Sequence, residues 1–241
     1  MKKRLIASLF VYNDKCYQTV SYNSYRPLGE IESILEILDR HQVDEIIISN
    51  RMSNKNQLNL KTLEKIKNSK IQTPVTYSGG ITKGSDVKEV LKYGIDRIAI
   101  NSSLWKKNKI NEIINAIGLQ GVVGVIPFKV KGNNIYFFYS EERVFIKLEN
   151  DFLHFLTSLN IEFLLIDILA DGNLKGFNKD ILKIFKNSQI ILQGGVLSSL
   201  KELNRKNISG LAIENRLLWE ELKSINLRKN SNFFINRDIE L

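Results

Sequence analysis

Only one cysteine, Cys16, occurs in the 241 residues, so no disulfide closes within the chain and no cysteine-based zinc site can be assembled from it. No apolar run approaches the roughly 20 residues that a membrane-crossing helix needs. The opening MKKRLIASLF passes into YNDK without the apolar core of a secretory signal, and the expected compartment is the cytoplasm. No proline- and glycine-rich stretch divides the chain, so separately linked domains are not expected. Nothing resembles an RNA-binding aromatic pair or a DNA recognition helix. The net charge of +9 is spread as lysines over stretches such as LKTLEKIKNSK (60–70), mixed with acids, and reads as a solvated basic surface rather than a nucleic-acid face. Neither a metal nor a cofactor is expected.

What the chain does have is a unit written twice. VTYSGGI (75–81) leads to RIAINSSLW (97–105), and about 115 residues later IILQGGV (190–196) leads to GLAIENRLLW (210–219). Each copy reads as a β-branched strand ending in a glycine pair, a helix, and a second strand with polar residues at its C-terminal end. Duplication of such a unit predicts a parallel α/β sheet built from two halves. Apolar runs at 4–11, 45–49, 73–77, 97–101, 122–130, 162–168, 189–193 and 210–213 supply strands with little alternation, as a sheet covered on both faces requires. Helical periodicity falls at 30–41, 60–68, 86–94, 109–118, 151–160, 179–187, 199–206 and 217–225. Eight of each predict a single (β/α)8 TIM barrel domain over 1–241, with an open doubly wound sheet as the alternative. VKGNNIYFFY predicts a β-hairpin insertion near 130–139. The tail at 228–241 is either a final packed turn or a loose terminus.

Ligands of such a barrel meet the C-terminal ends of its strands. Those ends bring together Gly79, Gly80, Asn101 and Ser102 in the first half, and Asp171, Gly172, Gly194, Gly195 and Asn215 in the second. Glycine pairs let backbone N–H groups approach a phosphate, although tight turns alone also call for them. Two pairs at equivalent points suit a ligand with phosphate at both ends. Glu214, a negative charge beside the second pair, opposes an anion there.

These segments, together with KRLIASLFVYNDKCYQ, VDEIII and the DGNLKGF loop, resemble the cyclase subunit of imidazole glycerol phosphate synthase over almost the whole chain. The resemblance implies a barrel that takes ammonia from a separate glutaminase bound at its N-terminal face. At the other face it implies cyclisation of a bis-phosphorylated ribulosyl intermediate of histidine biosynthesis, giving imidazole glycerol phosphate and an aminoimidazole ribotide. The family's two catalytic aspartates, however, fall on Phe10 and Pro127, whose side chains exchange no protons. Gln18 and Asn50 stand where the family has a lysine and an acid. Among the nearby acids Asp14, Asp167 and Asp171, Asp167 is the candidate for a displaced chemical role, and one step of register decides which face it takes.

At the opposite end, the resemblance implies a charged ring around the ammonia entrance, on Arg4, Glu45, Arg97 and Glu162, with every charge sign kept. Asp96 falls on the face where the glutaminase docks, and Leu5, Ile47 and Ile100 are expected to line a dry path. A kept entrance with lost acid and base suggests a divergent paralogue that passes ammonia to a separate sugar amidotransferase, in acetamidino modification of surface sugars. Two alternatives stand beside it: the histidine-pathway cyclase itself, and a non-catalytic scaffold that activates a glutaminase. A phosphorylated small molecule is the expected ligand of the first glycine pair.

Overall fold

Runs such as EIIIS and EFLLID have no polar face, and burying them calls for cover on both sides. In the computed structural model, which describes residues 3–51, 57–172, 175–197, 205–214 and 216–219, that cover is a ring of helices around a closed sheet. The elements run β1 (Arg4–Tyr12), β2 (Lys15–Val20), β3 (Ser24–Glu30), α1 (Ile31–Arg40), β4 (Glu45–Arg51), α2 (Leu60–Asn68), β5 (Val75–Ser78), α3 (Gly84–Leu91) and β6 (Arg97–Ile100). They continue as α4 (Lys107–Ile117), β7 (Val122–Lys131), β8 (Asn134–Tyr139), β9 (Val144–Ile146), α5 (Asn150–Ser158), β10 (Glu162–Asp167), β11 (Ile190–Gln193), β12 (Ile208–Ile213) and α6 (Arg216–Trp219).

Eight parallel strands close the barrel in the order β1, β4, β5, β6, β7, β10, β11, β12, and β12 pairs back onto β1. This is a (β/α)8 TIM barrel in two similar halves. Pairing of β7 with β10 removes the sheet edge that an open doubly wound fold would keep. The halves also match in their excursions. The first barrel strand, β1, runs on into the antiparallel arm β2–β3, and the fifth, β7, into the arm β8–β9, so both arms rise from the C-terminal end of the barrel.

Local chemistry sets the helices on the barrel. In α1 the buried residues Ile31, Ile34, Leu35 and Leu38 repeat at helical spacing, one stripe against the sheet. Truncating a side chain as enclosed as Leu35 costs about 2–5 kcal/mol. The start of α2 is held by Asn59, whose side chain accepts Thr62 N at 3.2 Å, a cap worth about 1 kcal/mol. The segment expected as a helix at 179–187 is instead a short 3-10 turn at Lys179–Lys183, entered at Asn178, whose side chain accepts Asp180 N at 3.0 Å. The helix expected at 199–206 lies almost wholly outside the described residues, as do most of that at 217–225 and the tail at 228–241. No described helix is long and apolar enough to cross a membrane.

Strand alternation divides the apolar core in two. Ile6, Ile47, Ala99, Val123, Val125, Leu164, Ile166, Ile191 and Ala212 pack inside the barrel, joined by Tyr22. A larger set, including Leu5, Ile46, Ile98 and Ile100, packs outward under the helices. Of the three residues expected to line the barrel axis, only Ile47 does so. Leu5 and Ile100 face the helices, and Ile6 and Ala99 take the inward places, because a one-residue step along a strand reverses the side.

Candidate functional site

At the base of the barrel, the first residues of β1, β4, β6 and β10 turn charged side chains to a common centre. Arg4 reaches Glu45 at 2.5 Å and also Glu162, while Arg97 reaches Glu162 at 2.8 Å and Glu45 at 3.3 Å. The four form a closed cycle in which each charge touches only the opposite sign. Glu45 is 3% exposed, deep enough that its carboxylate needs every partner it has, and Thr76 Oγ1 adds a hydrogen bond at 2.5 Å. Ser209 donates to Glu162. Burial opposes ionisation of Glu162, but Arg4 and Arg97 outweigh it and hold its carboxyl below the ordinary range. Thr76 and Ser209 were not legible as ring members, although Thr76 shares the inward parity of its strand with Ser78. Asp96 lies exposed beside this ring, its Oδ2 accepting Val75 N at 2.8 Å.

At the other end a cavity of about 580 Å³ opens among the strand ends and the two arms. Phe10 and Pro127 form part of its wall, with Gly79, Gly80, Asn101 and Ser102. Phe10 stacks on Tyr25, ring centroids 5.2 Å apart, and Tyr22 meets Phe138 edge-on at 6.3 Å. Pro127 fits a buried strand for a specific reason. The Val125 carbonyl on one edge of β7 is taken by Asn101 Nδ2 at 2.8 Å, and the Phe128 carbonyl on the other edge by Ile168 N at 3.0 Å. Pro127, in phase with Val125, therefore turns its missing N–H toward β6, whose pairing with β7 has ended at Gly124.

The predicted phosphate residues divide between two places. Gly79, Gly80, Asn101 and Ser102 line the cavity, whereas Asp171, Gly172, Gly194 and Gly195 lie in the second half and are not among its lining residues. Asn215 lies outside the described residues. Both glycine pairs have an architectural cause. A side chain on Gly80 would come within 2.0 Å of Gln57 O, and one on Gly195 within 2.1 Å of Lys175 O, each pair packing against the loop that follows its neighbouring strand. The Asn101 side chain is also occupied, its Oδ1 accepting both Ser140 N and Ser140 Oγ and so fastening the second arm.

Asp171 and Glu214 meet in the second half, hydrogen-bonded to each other. Thr19 Oγ1 lies 2.7 Å from Asp171 and 3.2 Å from Glu214, and Gln193 Nε2 donates to Glu214 at 2.9 Å. Burial raises the affinity of both carboxyls for protons, and for Glu214 repulsion from Asp171 adds to it. Asp167 does not join them. It follows the inward Ile166, so its carboxyl faces out and accepts Asn178 N, Leu169 N and Ala170 N at 2.8, 3.1 and 3.3 Å, anchoring a loop. Burial raises its carboxyl above the ordinary range despite those three donors. Asp14 likewise ties the β1–β2 turn to α2 through Thr62 and Lys61. Thr19 and Tyr22 escape a reading of motifs because they belong to none, and Gln193 because in IILQGGV the glycine pair after it carries the signal. No described group of three or more His, Cys, Asp or Glu residues is placed to hold a metal ion.

A protein-family profile described as histidine biosynthesis protein matches residues 4–222. The chain is 27% identical over 202 residues, 81% of each chain, to a Campylobacter jejuni protein named "Putative imidazole glycerol phosphate synthase subunit hisF2". It is 26% identical over 212 residues to the imidazole glycerol phosphate synthase subunit HisF of Dictyoglomus turgidum, covering 84% of this chain and 83% of the relative. The HisF subunit of Chloroherpeton thalassium is 27% identical over 203 residues, covering 81% and 80%.

Proposed function

This chain belongs to the histidine biosynthesis protein family, and we propose that it serves there as the HisF-type barrel subunit of a glutamine-dependent synthase, receiving ammonia at its base and presenting it at its mouth. The observation that carries this reading is the closed cycle of Arg4, Glu45, Arg97 and Glu162 across the end of the barrel opposite the cavity. A glutaminase docked on that face, with Asp96 at the contact, would release ammonia against the ring. Beyond the ring, the described inner side chains Ile6, Ile47, Ala99, Val123, Leu164, Ile191 and Ala212 are apolar, surroundings that disfavour ammonium and favour the neutral, nucleophilic amine.

The fate of the ammonia divides two readings. The names of the relatives favour cyclisation of the bis-phosphorylated ribulosyl intermediate, as in imidazole glycerol phosphate synthase. Phe10 and Pro127 favour onward delivery, since neither can take or give a proton beside the attacking amine. A sugar amidotransferase as the receiving enzyme is the narrower form of the second reading, and the names of the three relatives above do not carry it. The experiment mixes the chain with its glutaminase, glutamine and the ribulosyl intermediate, and follows imidazole glycerol phosphate by chromatography. Product formation supports cyclisation. Its absence, with glutamine hydrolysis stimulated by the chain, supports delivery, and an unstimulated glutaminase that does not bind the chain sinks the proposal as a whole.

A further inference from the structure

Thr19 has a single hydroxyl proton and two carboxyls within reach of it. Its Oγ1 lies 2.7 Å from Asp171 Oδ2 and 3.2 Å from Glu214 Oε1, so the proton points to the nearer Asp171. Glu214 Oε1 is taken by Gln193 Nε2 at 2.9 Å, while Glu214 Oε2 is buried and meets no donor among the described residues. Two carboxylates cannot hydrogen-bond to each other, yet these two carboxyls do, and the contact requires a proton on one of them. A proton on Glu214 Oε2 turns that orphaned acceptor into the donor to Asp171. Asp171 then accepts from both neighbours and keeps the negative charge.

The fold fixes this cluster in place. Gln193 stands two residues beyond the inward Ile191 and Glu214 two beyond the inward Ala212, so both turn into the barrel. Ser21 N donates to the Asp171 carbonyl at 3.1 Å and ties the β2–β3 arm to the loop after β10. The titratable groups facing the pair are Tyr22, whose hydroxyl is pushed up by burial and then by both carboxyls, and Asp167, which repels Asp171. No cation is paired with either acid among the described residues. Asp171, Gln193 and Glu214 do not border the mouth cavity, but Thr19 does. No described residue donates to Thr19 Oγ1, which leaves a lone pair for a donor in the cavity.

We propose that Glu214 and Asp171 hold one proton between them, and that Asp171 takes a second, through the Thr19 hydroxyl, from a protonated amine in the mouth cavity. The amine N–H bond breaks and its electron pair stays on nitrogen. Thr19 gains that proton and passes its own to Asp171, so a neutral amine and a doubly protonated pair result. The carboxyls touch no ligand and act through Thr19. The inference rests on the proposed function only in expecting an amine at the mouth, and its test needs neither a glutaminase nor the ribulosyl intermediate. Infrared spectroscopy of the full chain at neutral pH should show a protonated-carboxyl band that Glu214→Gln removes. On transfer to deuterium oxide, Thr19→Val should slow the deuterium shift of that band about tenfold, and Thr19→Ser should keep the wild-type rate. Ammonium chloride, at constant ionic strength, should speed the exchange only where the hydroxyl is present. Absence of the band overturns the inference, as does equal exchange in Thr19→Val and the wild type, or a wild-type rate indifferent to ammonium. The band and the ammonium response are read in the unmutated chain, so the inference stays exposed even where Thr19→Val does not fold. Glutaminase stimulation is measured separately, and the reading of the base stands or falls on that alone.

Discussion

The two ends of this barrel handle buried charge in opposite ways. At the base, Arg4, Glu45, Arg97 and Glu162 alternate in sign and sum to zero, so each charge meets its opposite in a place that strips away water. At the mouth, Asp171 and Glu214 meet without a paired cation among the described residues, and burial pushes both toward the protonated form. One fold thus carries both outcomes, and the difference lies in whether a countercharge projects from the neighbouring strand. The base holds a ring of paired charges; the mouth holds hydrogen-bonded carboxyls and aromatic rings.

The comparison breaks most sharply at Glu45. Glu45→Gln leaves Arg4 and Arg97 short of a counterion, and is expected to lower stability by about 3 kcal/mol in urea unfolding, the smaller end of the range for buried pairs because both arginines reach solvent. A loss under about 1 kcal/mol would mean that the ring is solvated like a surface pair. Gly80→Ala and Gly195→Ala come next, at about 2 kcal/mol each, since a methyl group cannot displace a backbone carbonyl 2.0 or 2.1 Å away. Similar losses at the two sites would support the architectural equivalence of the halves; a much smaller loss at one would break it.

Acidity separates the two ends more gently. Glu162, held below its ordinary range, contributes stability that is present above the ordinary glutamate pKa of about 4.3 and is lost as pH falls through its lower folded value. Glu214 and Asp171, raised by burial, contribute stability that is complete at low pH and is lost as pH rises through their folded values. Stability against pH should therefore show an acid limb from the base and an opposing limb, above the ordinary carboxylate range, from the mouth. Glu214→Gln is expected to flatten the second limb alone. An unchanged profile in that variant would show that the pair is not the source.

Much of this was legible in the chain. The strand runs located all eight barrel strands, because a strand covered on both faces must be apolar throughout and stands out from its polar connections. The ring follows from the resemblance to the family, whose four charged positions fall on the first residues of four apolar runs, Arg4, Glu45, Arg97 and Glu162. Parity within a strand was less accessible: Leu5 and Ile100 face the helices, and Asp167 faces a loop, since a uniformly apolar run carries no alternation to mark its inner side. The occupation of Asn101 by Ser140 depended on an arm 39 residues further on, which no local pattern reports.

What the sequence determined by itself is the barrel, its repeat, the charges at its base and the presence of side chains without a titratable proton at Phe10 and Pro127. All of these are properties of residue type and order along one strand or one repeat. Only the tertiary structure decided that Arg4, Glu45, Arg97 and Glu162 close into one cycle, and that Thr19, Asp171, Gln193 and Glu214 meet at the mouth. Barrel closure sets strands side by side that are distant in sequence, and the ionisation of a buried group depends on the neighbours which that closure supplies.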